Sequence, residues 1–193
     1  MVLVILLIIH LGLSKMSIEY IKSQLSIIIE NYPFHKSLND RIIKDSENLA
    51  WTRDIYNTDG GLTNVRALQT FKIDSSKNVK RVEDWAISLI RQSMYGNNSG
   101  TKFVSIDTWM TNYSKDDFTV SHQHNPSTYA FVYFLKCPKG SSPLVFTTSG
   151  KKIKAEEGKI VIFPGNVLHH VPKNKCEGRM TLAGNIFAYY GTL

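Results

Sequence analysis

His122 and His124 stand one residue apart in the stretch 119–126 (TVSHQHNP). On a helix such a pair points about 200° apart, whereas on a strand, where the side-chain period is two, both rings face one side. Read as a strand, the stretch aims two imidazoles at one point. A third histidine follows within 167–171 (VLHHV), and an arginine ten residues after it in Arg179-Met180-Thr181. Neutral imidazole is a good ligand for iron, copper, nickel or zinc, and three protein ligands leave coordination positions open for substrate. The pair alone carries little weight, because paired histidines are common on surfaces; the downstream histidine strengthens it. Residues 159–163 read as a strand stopped by Pro164-Gly165, and His169 falls where the chain re-enters the sheet. His169 and Val171 then share one face and His170 takes the other, so His169 is the third candidate ligand. The alternative is a histidine that merely fills a polar corner.

Arg179, Thr181, Ala183 and Asn185 alternate on one face of a further strand. A guanidinium that points into a β-core needs an anion, because an unpaired buried charge is costly. It grips a carboxylate with two parallel hydrogen bonds, and a hydroxyl two residues along adds a third. No other residue is an obvious internal carboxylate for it, whereas a bound dicarboxylate fits. The competing reading puts Arg179 at the exposed start of its strand.

These residues need a scaffold, and the hydrophobic pattern supplies one. Apolar positions from Ser17 to Glu30 recur at helical spacing, with Ser17 as N-cap, although the β-branched run Ile27-Ile28-Ile29 fits a strand equally well. Leu38, Ile42, Ile43 and Leu49 suggest a second amphipathic helix, and residues 65–73 a strand. Residues 79–95 carry the clearest helical stripe (Val82, Trp85, Ala86, Leu89, Ile90), with Gly96 placed as its C-cap. Beyond Gly100 the pattern turns to strands at 102–110, 129–135, 143–148, 151–155, 159–163, 169–171 and 179–190, divided by Gly and Pro turns. The run 129–135 (YAFVYFL) is continuously apolar, as expected of a strand covered on both faces. Helices first and a β-core after them make an α+β chain with a sandwich or barrel.

Composition is that of an ordinary globular protein. The formal charge of +7 is uneven: up to Ser121 there are 14 Lys and Arg against 13 Asp and Glu, and from His122 onward 9 against 3. The histidines therefore sit in a basic half, which favours an anionic cosubstrate, an acidic substrate or nucleic acid, unless the lysines only solvate the surface. Cys137 and Cys176 make neither a disulfide framework nor a CxxC metal motif and read as free thiols. Residues 1–13 (MVLVILLIIHLGL) are apolar but shorter than the roughly 20 residues of a spanning helix. The first basic residue, Lys15, lies on the wrong side for a signal peptide, and Met16 opens an ordinary soluble start. Residues 1–15 are thus expected to be a tail or an upstream misassigned start before a single domain over 16–193, with a membrane anchor as the minor alternative.

His122-x-His124, His169 and Arg179-x-Thr181 together resemble the Fe(II)- and 2-oxoglutarate-dependent dioxygenases, whose motif is His-x-Asp/Glu, a distant His and, about ten residues on, Arg-x-Ser/Thr. Trp109, Asn112, Tyr113, Asn125-Pro126, Tyr133-Phe134-Leu135, Phe163-Pro164-Gly165 and Asn185 fit as flanks. The likeness is greatest to small prolyl-hydroxylase-like oxygenases of bacteria and phages. It spans most of the chain from about Asp59 and is specific over 106–187.

The resemblance implies a double-stranded β-helix (jelly roll) with the N-terminal helices packed on one face. It makes His122 and His169 iron ligands and gives Arg179 and Thr181 the distal carboxylate of 2-oxoglutarate. Asn112 takes a position where related enzymes often carry a tyrosine that touches the cosubstrate. Iron, 2-oxoglutarate and O2 would together hydroxylate a substrate C–H bond, with succinate as coproduct, in a bacterial or phage-infected cytoplasm. One residue departs from the motif: His124 replaces the usual carboxylate. It either ligates as a third neutral imidazole, which is the expectation, or stays off the metal and leaves a position open as in the related halogenases. A cupin-like three-histidine dioxygenase that needs no 2-oxoglutarate shares the barrel but gives Arg179-x-Thr181 no purpose. A non-catalytic jelly-roll module that binds an acidic partner through its basic half is the second competitor. The substrate, whether prolyl residue, amino acid, nucleobase or small metabolite, is set by loops such as 59–63, 97–100 and 114–117.

Overall fold

A computed structural model describes residues 25–53, 64–71, 73, 76–95 and 100–190. The first elements are β1 (Ile28–Asn31), α1 (His35–Asp45), β2 (Trp51–Thr52), β3 (Val65–Arg66), β4 (Leu68–Thr70) and α2 (Lys77–Ile90). The second half contains β5 (Thr101–Tyr113), β6 (Phe118–His122), β7 (Tyr129–Lys136) and β8 (Leu144–Phe146). It closes with β9 (Lys152–Ile153), β10 (Lys159–Pro164), β11 (His169–Val171) and β12 (Arg179–Tyr190). Among the described residues these strands form a seven-stranded sheet in the order β1-β10-β7-β12-β5-β4-β2 and a five-stranded sheet in the order β3-β6-β11-β8-β9. Every pairing is antiparallel. Two facing antiparallel sheets with helices on one side make the expected α+β double-stranded β-helix.

The continuously apolar run at 129–135 forms a strand with two covered faces. Tyr129, Phe131, Tyr133 and Leu135 join the cluster under the helices, while Ala130, Val132 and Phe134 join the cluster between the sheets. β10 divides likewise, with Ile160 and Ile162 toward the helices and Val161 and Phe163 toward the interior. Period-two geometry on a sheet packed on both sides demands apolar residues at every position. A buried polar pair fixes α1 on this surface: the Tyr133 hydroxyl donates to Asn39 Oδ1 at 2.7 Å, and Asn39 Nδ2 donates to the Leu135 carbonyl at 2.8 Å. α2 begins at Ser76, whose Oγ accepts from the amides of Asn78 and Val79, and it buries Val79, Val82, Ala86 and Ile90. Its C-terminal continuation is a π turn over Arg91–Tyr95, and Gly96 lies outside the described residues.

Three expectations change. The end of the expected first helix is strand β1, an edge strand whose Ile28 pairs opposite Ile162, so β-branched side chains meet across a ladder; the earlier part, through residue 24, lies outside the described residues. Residues 65–73 are not one strand. The chain leaves the smaller sheet after Arg66 and enters the larger at Leu68, with Ala67 buried at the crossing between them. The second helix stops at Asp45 and a 3-10 turn over Ser46–Asn48 precedes Leu49. Both cysteines are free thiols, and burial pushes the Cys137 thiol up to about 12. No helix among the described residues is long and apolar enough to cross a membrane, and the apolar run 1–13 lies outside them.

Candidate metal and anion site

β6 and β11 place the first two histidines. His122 ends β6 and pairs directly opposite His169, which begins β11, with ring centroids 4.3 Å apart. His169 faces the interior and is buried, while His170 turns away and accepts or donates at Thr147 Oγ1 (2.9 Å) on the outer face. His124 arrives by a different route from the one its spacing suggested. The strand ends at His122, so alternation along a strand does not bring the two rings together. A turn does: the His124 amide donates to the Gly165 carbonyl at 2.6 Å, and both the amide and the hydroxyl of Ser127 donate to the His124 carbonyl. This turn needs glycine at 165, where a Cβ would stand 2.1 Å from the Ser127 carbonyl oxygen.

One ligand nitrogen from each of the three histidines lies within 4.8 Å of the others. His122 Nδ1 is 2.9 Å from the Val120 carbonyl and His169 Nδ1 is 2.9 Å from the Val167 carbonyl. A carbonyl only accepts, so each Nδ1 carries its proton and each Nε2 presents a lone pair to the shared space. The His124 ring lies between Trp109 (5.9 Å, 27° between planes) and His169 (5.0 Å, 10°). Burial lowers all three pKa values, that of His124 to about 4 and that of His169 to about 3. Mutual repulsion with His122 adds to both, and Asn185 opposes the shift at His124. Near neutral pH the cluster is uncharged, the state in which imidazole binds a metal.

Arg179 begins β12 and is 0% exposed, which removes the reading of an exposed strand start. Its guanidinium carbon lies 4.6 Å from the centre of the Tyr113 ring and 5.4 Å from that of Phe134, and its Nε donates to the Ser142 carbonyl at 3.0 Å. Nη1 and Nη2 are buried and meet no hydrogen-bond partner among the described residues. Burial lowers its pKa, and the Tyr113 phenol works against that change. Thr181 follows on the same face, and one cleft is lined by the three histidines, Arg179, Thr181 and Ala183.

Asn112 does not join them. It pairs opposite Met180, and it alternates with Met110, both in the cluster under the helices. Its side chain therefore leaves on the far side of the sheet. The inward positions of β5 are Trp109, Thr111 and Tyr113, all in the cleft lining, and Tyr113, hydrogen-bonded to Thr119 Oγ1 at 2.7 Å, lies against Arg179. Sequence reasoning missed Thr111 and Tyr113 as cleft residues; counting alternation back from the fixed pair Tyr113 and Arg179 identifies both.

The fold is a jelly roll similar to that of solved 2-oxoglutarate- and iron-dependent oxygenases. It matches a viral collagen prolyl hydroxylase from Paramecium Bursaria Chlorella virus-1 in complex with 2-oxoglutarate, at 14% identity over 83% of this chain and 94% of that one, with a TM-score of 0.64. A Pseudomonas putida prolyl-4-hydroxylase matches at 16% identity over 84% and 92%, TM-score 0.61. HygX from Streptomyces hygroscopicus with nickel and 2-oxoglutarate bound matches at 10% identity over 84% and 83%, TM-score 0.61. No family model matches the sequence, and no curated protein does.

Proposed function

We propose that this protein is an Fe(II)- and 2-oxoglutarate-dependent oxygenase in which His122, His124 and His169 hold the metal and Arg179 and Thr181 hold the cosubstrate. The observation that carries the reading is the pair of buried, unpartnered guanidinium nitrogens in the same cleft as three inward histidines. A buried cation with two free donors is costly until an anion meets it, and a carboxylate satisfies both at once. The cleft thus has metal donors and an anion clamp, which a dicarboxylate with a ketone next to one carboxylate can bridge. Other members of this fold are solved with 2-oxoglutarate bound, one of them also with nickel.

The metal, when bound, supplies the activation of O2 that drives cosubstrate decarboxylation and substrate hydroxylation. The chain's own residues orient and exclude. Val120 and Val167 hold their histidines in the tautomer that frees Nε2. Tyr113 and Phe134 sandwich the guanidinium against water, and Phe163 packs on His169 at 4.6 Å. The basic half of the chain favours an acidic primary substrate.

Anaerobic loading with Fe(II) and 2-oxoglutarate, followed by admission of O2 and measurement of succinate, tests the reading. Succinate formation that depends on iron and is lost with Arg179→Met is expected. Iron binding without dependence on 2-oxoglutarate points to the cupin-like dioxygenase. A protein that binds no iron, or keeps its iron in a His122→Ala/His169→Ala double variant, is a non-catalytic module instead.

A further inference from the structure

Arg179, Thr181, Ala183 and Asn185 follow one another along the inward face of β12, and they pair in turn with Tyr113, Thr111, Trp109 and Asp107 of β5. Successive rungs lie about 7 Å apart. The first rung is the guanidinium clamp. The third stands level with the histidines, because the Trp109 ring stacks on His124. The fourth, Asn185 with Asp107, lies on the other side of that level from the clamp. It still faces inward, since the β7 partner of Asn185 is Ala130, in the cluster between the sheets. Just beyond it the ladder shifts register, and Ser105 already faces the helices, where its hydroxyl meets Thr108 at 3.2 Å. Exposure rises along the same path: Arg179 is 0% exposed, Thr181 3% and Ala183 9%, and Asn185 and Asp107 are partly exposed. A cosubstrate that runs from Arg179 to the histidines fills the closed end, so a primary substrate has to approach past the fourth rung.

This rung is made of acceptors. Asn185 Oδ1 is buried and meets no hydrogen-bond partner among the described residues, and Asp107 makes no hydrogen bond or ion pair among them either. Residues directly opposite on antiparallel strands have Cα atoms about 5 Å apart, so the amide oxygen and the carboxylate can reach one group between them. An unpaired acceptor out of water is costly. Beside a carboxylate, the donor that satisfies both is a cation with several N–H groups. The lysines of the basic half do not serve here: Lys136 pairs opposite Met180 at the clamp end, and the Lys175 amide donates to the Gly140 carbonyl. Positive charge thus gathers at the cosubstrate end and acceptors at the open one.

We propose that Asn185 and Asp107 are specificity-determining residues that hold an ammonium or guanidinium group of the primary substrate next to the histidines, leaving any acidic group of that substrate outside the cleft. The proposal rests on the metal- and 2-oxoglutarate-dependent reading above. It is tested on the full chain loaded with Mn(II) and 2-oxoglutarate, with n-butylguanidinium and pentanoate as probes of similar length and opposite charge. Paramagnetic relaxation of the probe protons reports which of them sits beside the metal. Wild type should relax butylguanidinium and leave pentanoate unaffected. Asp107→Asn and Asn185→Ala should each weaken butylguanidinium about tenfold, and Asn185→Asp, of the same size with an added charge, should bind it more tightly. Asp107→Lys should exchange the preference in favour of pentanoate, which a merely structural role would not do. Wild type that relaxes neither probe, both equally or pentanoate more strongly overturns the proposal, while the 2-oxoglutarate reading stands. Unchanged butylguanidinium affinity in Asp107→Asn, or affinity no tighter in Asn185→Asp, overturns it as well. Wild type that binds no Mn(II) or no 2-oxoglutarate removes both.

Discussion

β7, in the larger sheet, buries seven of its eight residues, whereas β6, in the smaller sheet, buries one of five and ends on His122. The two strands face the same interior, yet they do different work. The larger sheet has helices on one side and the second sheet on the other, so its central strands are locked by packing on both faces. The smaller sheet has short strands, of two to five residues, and exposes side chains such as Val120. Two histidines of the cluster sit on this lighter sheet, and the third on the turn that leaves it. Arg179 sits on the heavier one. On the function proposed above, the histidines that would adapt to an ion are carried by the less constrained layer, and the guanidinium that would hold the cosubstrate is carried by the more constrained one.

Truncation tests the division most severely. Phe131→Ala opens a cavity in the cluster beneath the helices, where Phe131 is 1% exposed, and should cost about 3–5 kcal/mol in urea unfolding. Arg179→Met sharpens the contrast in the opposite sense. It removes a buried cation with two unmet donors, so the metal-free protein should be at least as stable, while affinity for 2-oxoglutarate, followed by calorimetry on the metal-loaded protein, falls about 100-fold as two charge-assisted hydrogen bonds disappear. Acidification should produce a smaller effect that originates in the lighter sheet and its turn. His122, His124 and His169 all titrate lower when folded than the ordinary 6.5. The unfolded chain therefore binds more protons once the pH falls below about 6.5, and stability in chelator should be complete above that pH and decline toward about 4. Thermal melts across this range should show the decline, and His169→Leu should flatten it. Val120→Ala, at a position 36% exposed on the smaller sheet, should change stability by no more than about 0.5 kcal/mol.

The legible parts of the sequence were those where a period met only one environment. The uninterrupted apolar run of β7 specified two covered faces, and the alternation of Arg179, Thr181, Ala183 and Asn185 specified an inward face. His169 over His170 followed from the same logic. Asn112 was misplaced because Met110, Thr111, Asn112 and Tyr113 mix polar and apolar residues on both faces of β5, so composition does not fix the register. Only pairing with β12 does, and pairing is a long-range property. His124 was placed in the right cluster for the wrong reason. The convergence comes from a turn laced to residue 165, and no period in the sequence encodes that contact. The edge strand β1 was equally illegible, since its partner β10 lies more than a hundred residues away.

The link between β10 and β11 has a consequence for how such a chain can change over generations. Its four residues, 165–168, supply the Gly165 carbonyl that takes the His124 amide and the Val167 carbonyl that takes His169 Nδ1. Most surface loops absorb insertions and deletions at little cost. Here a single inserted residue shifts the frame of β11 by one, turns His169 to the outer face and pulls the anchor of His124 away in the same stroke. The length of this link is therefore under tighter selection than the identity of most residues around it.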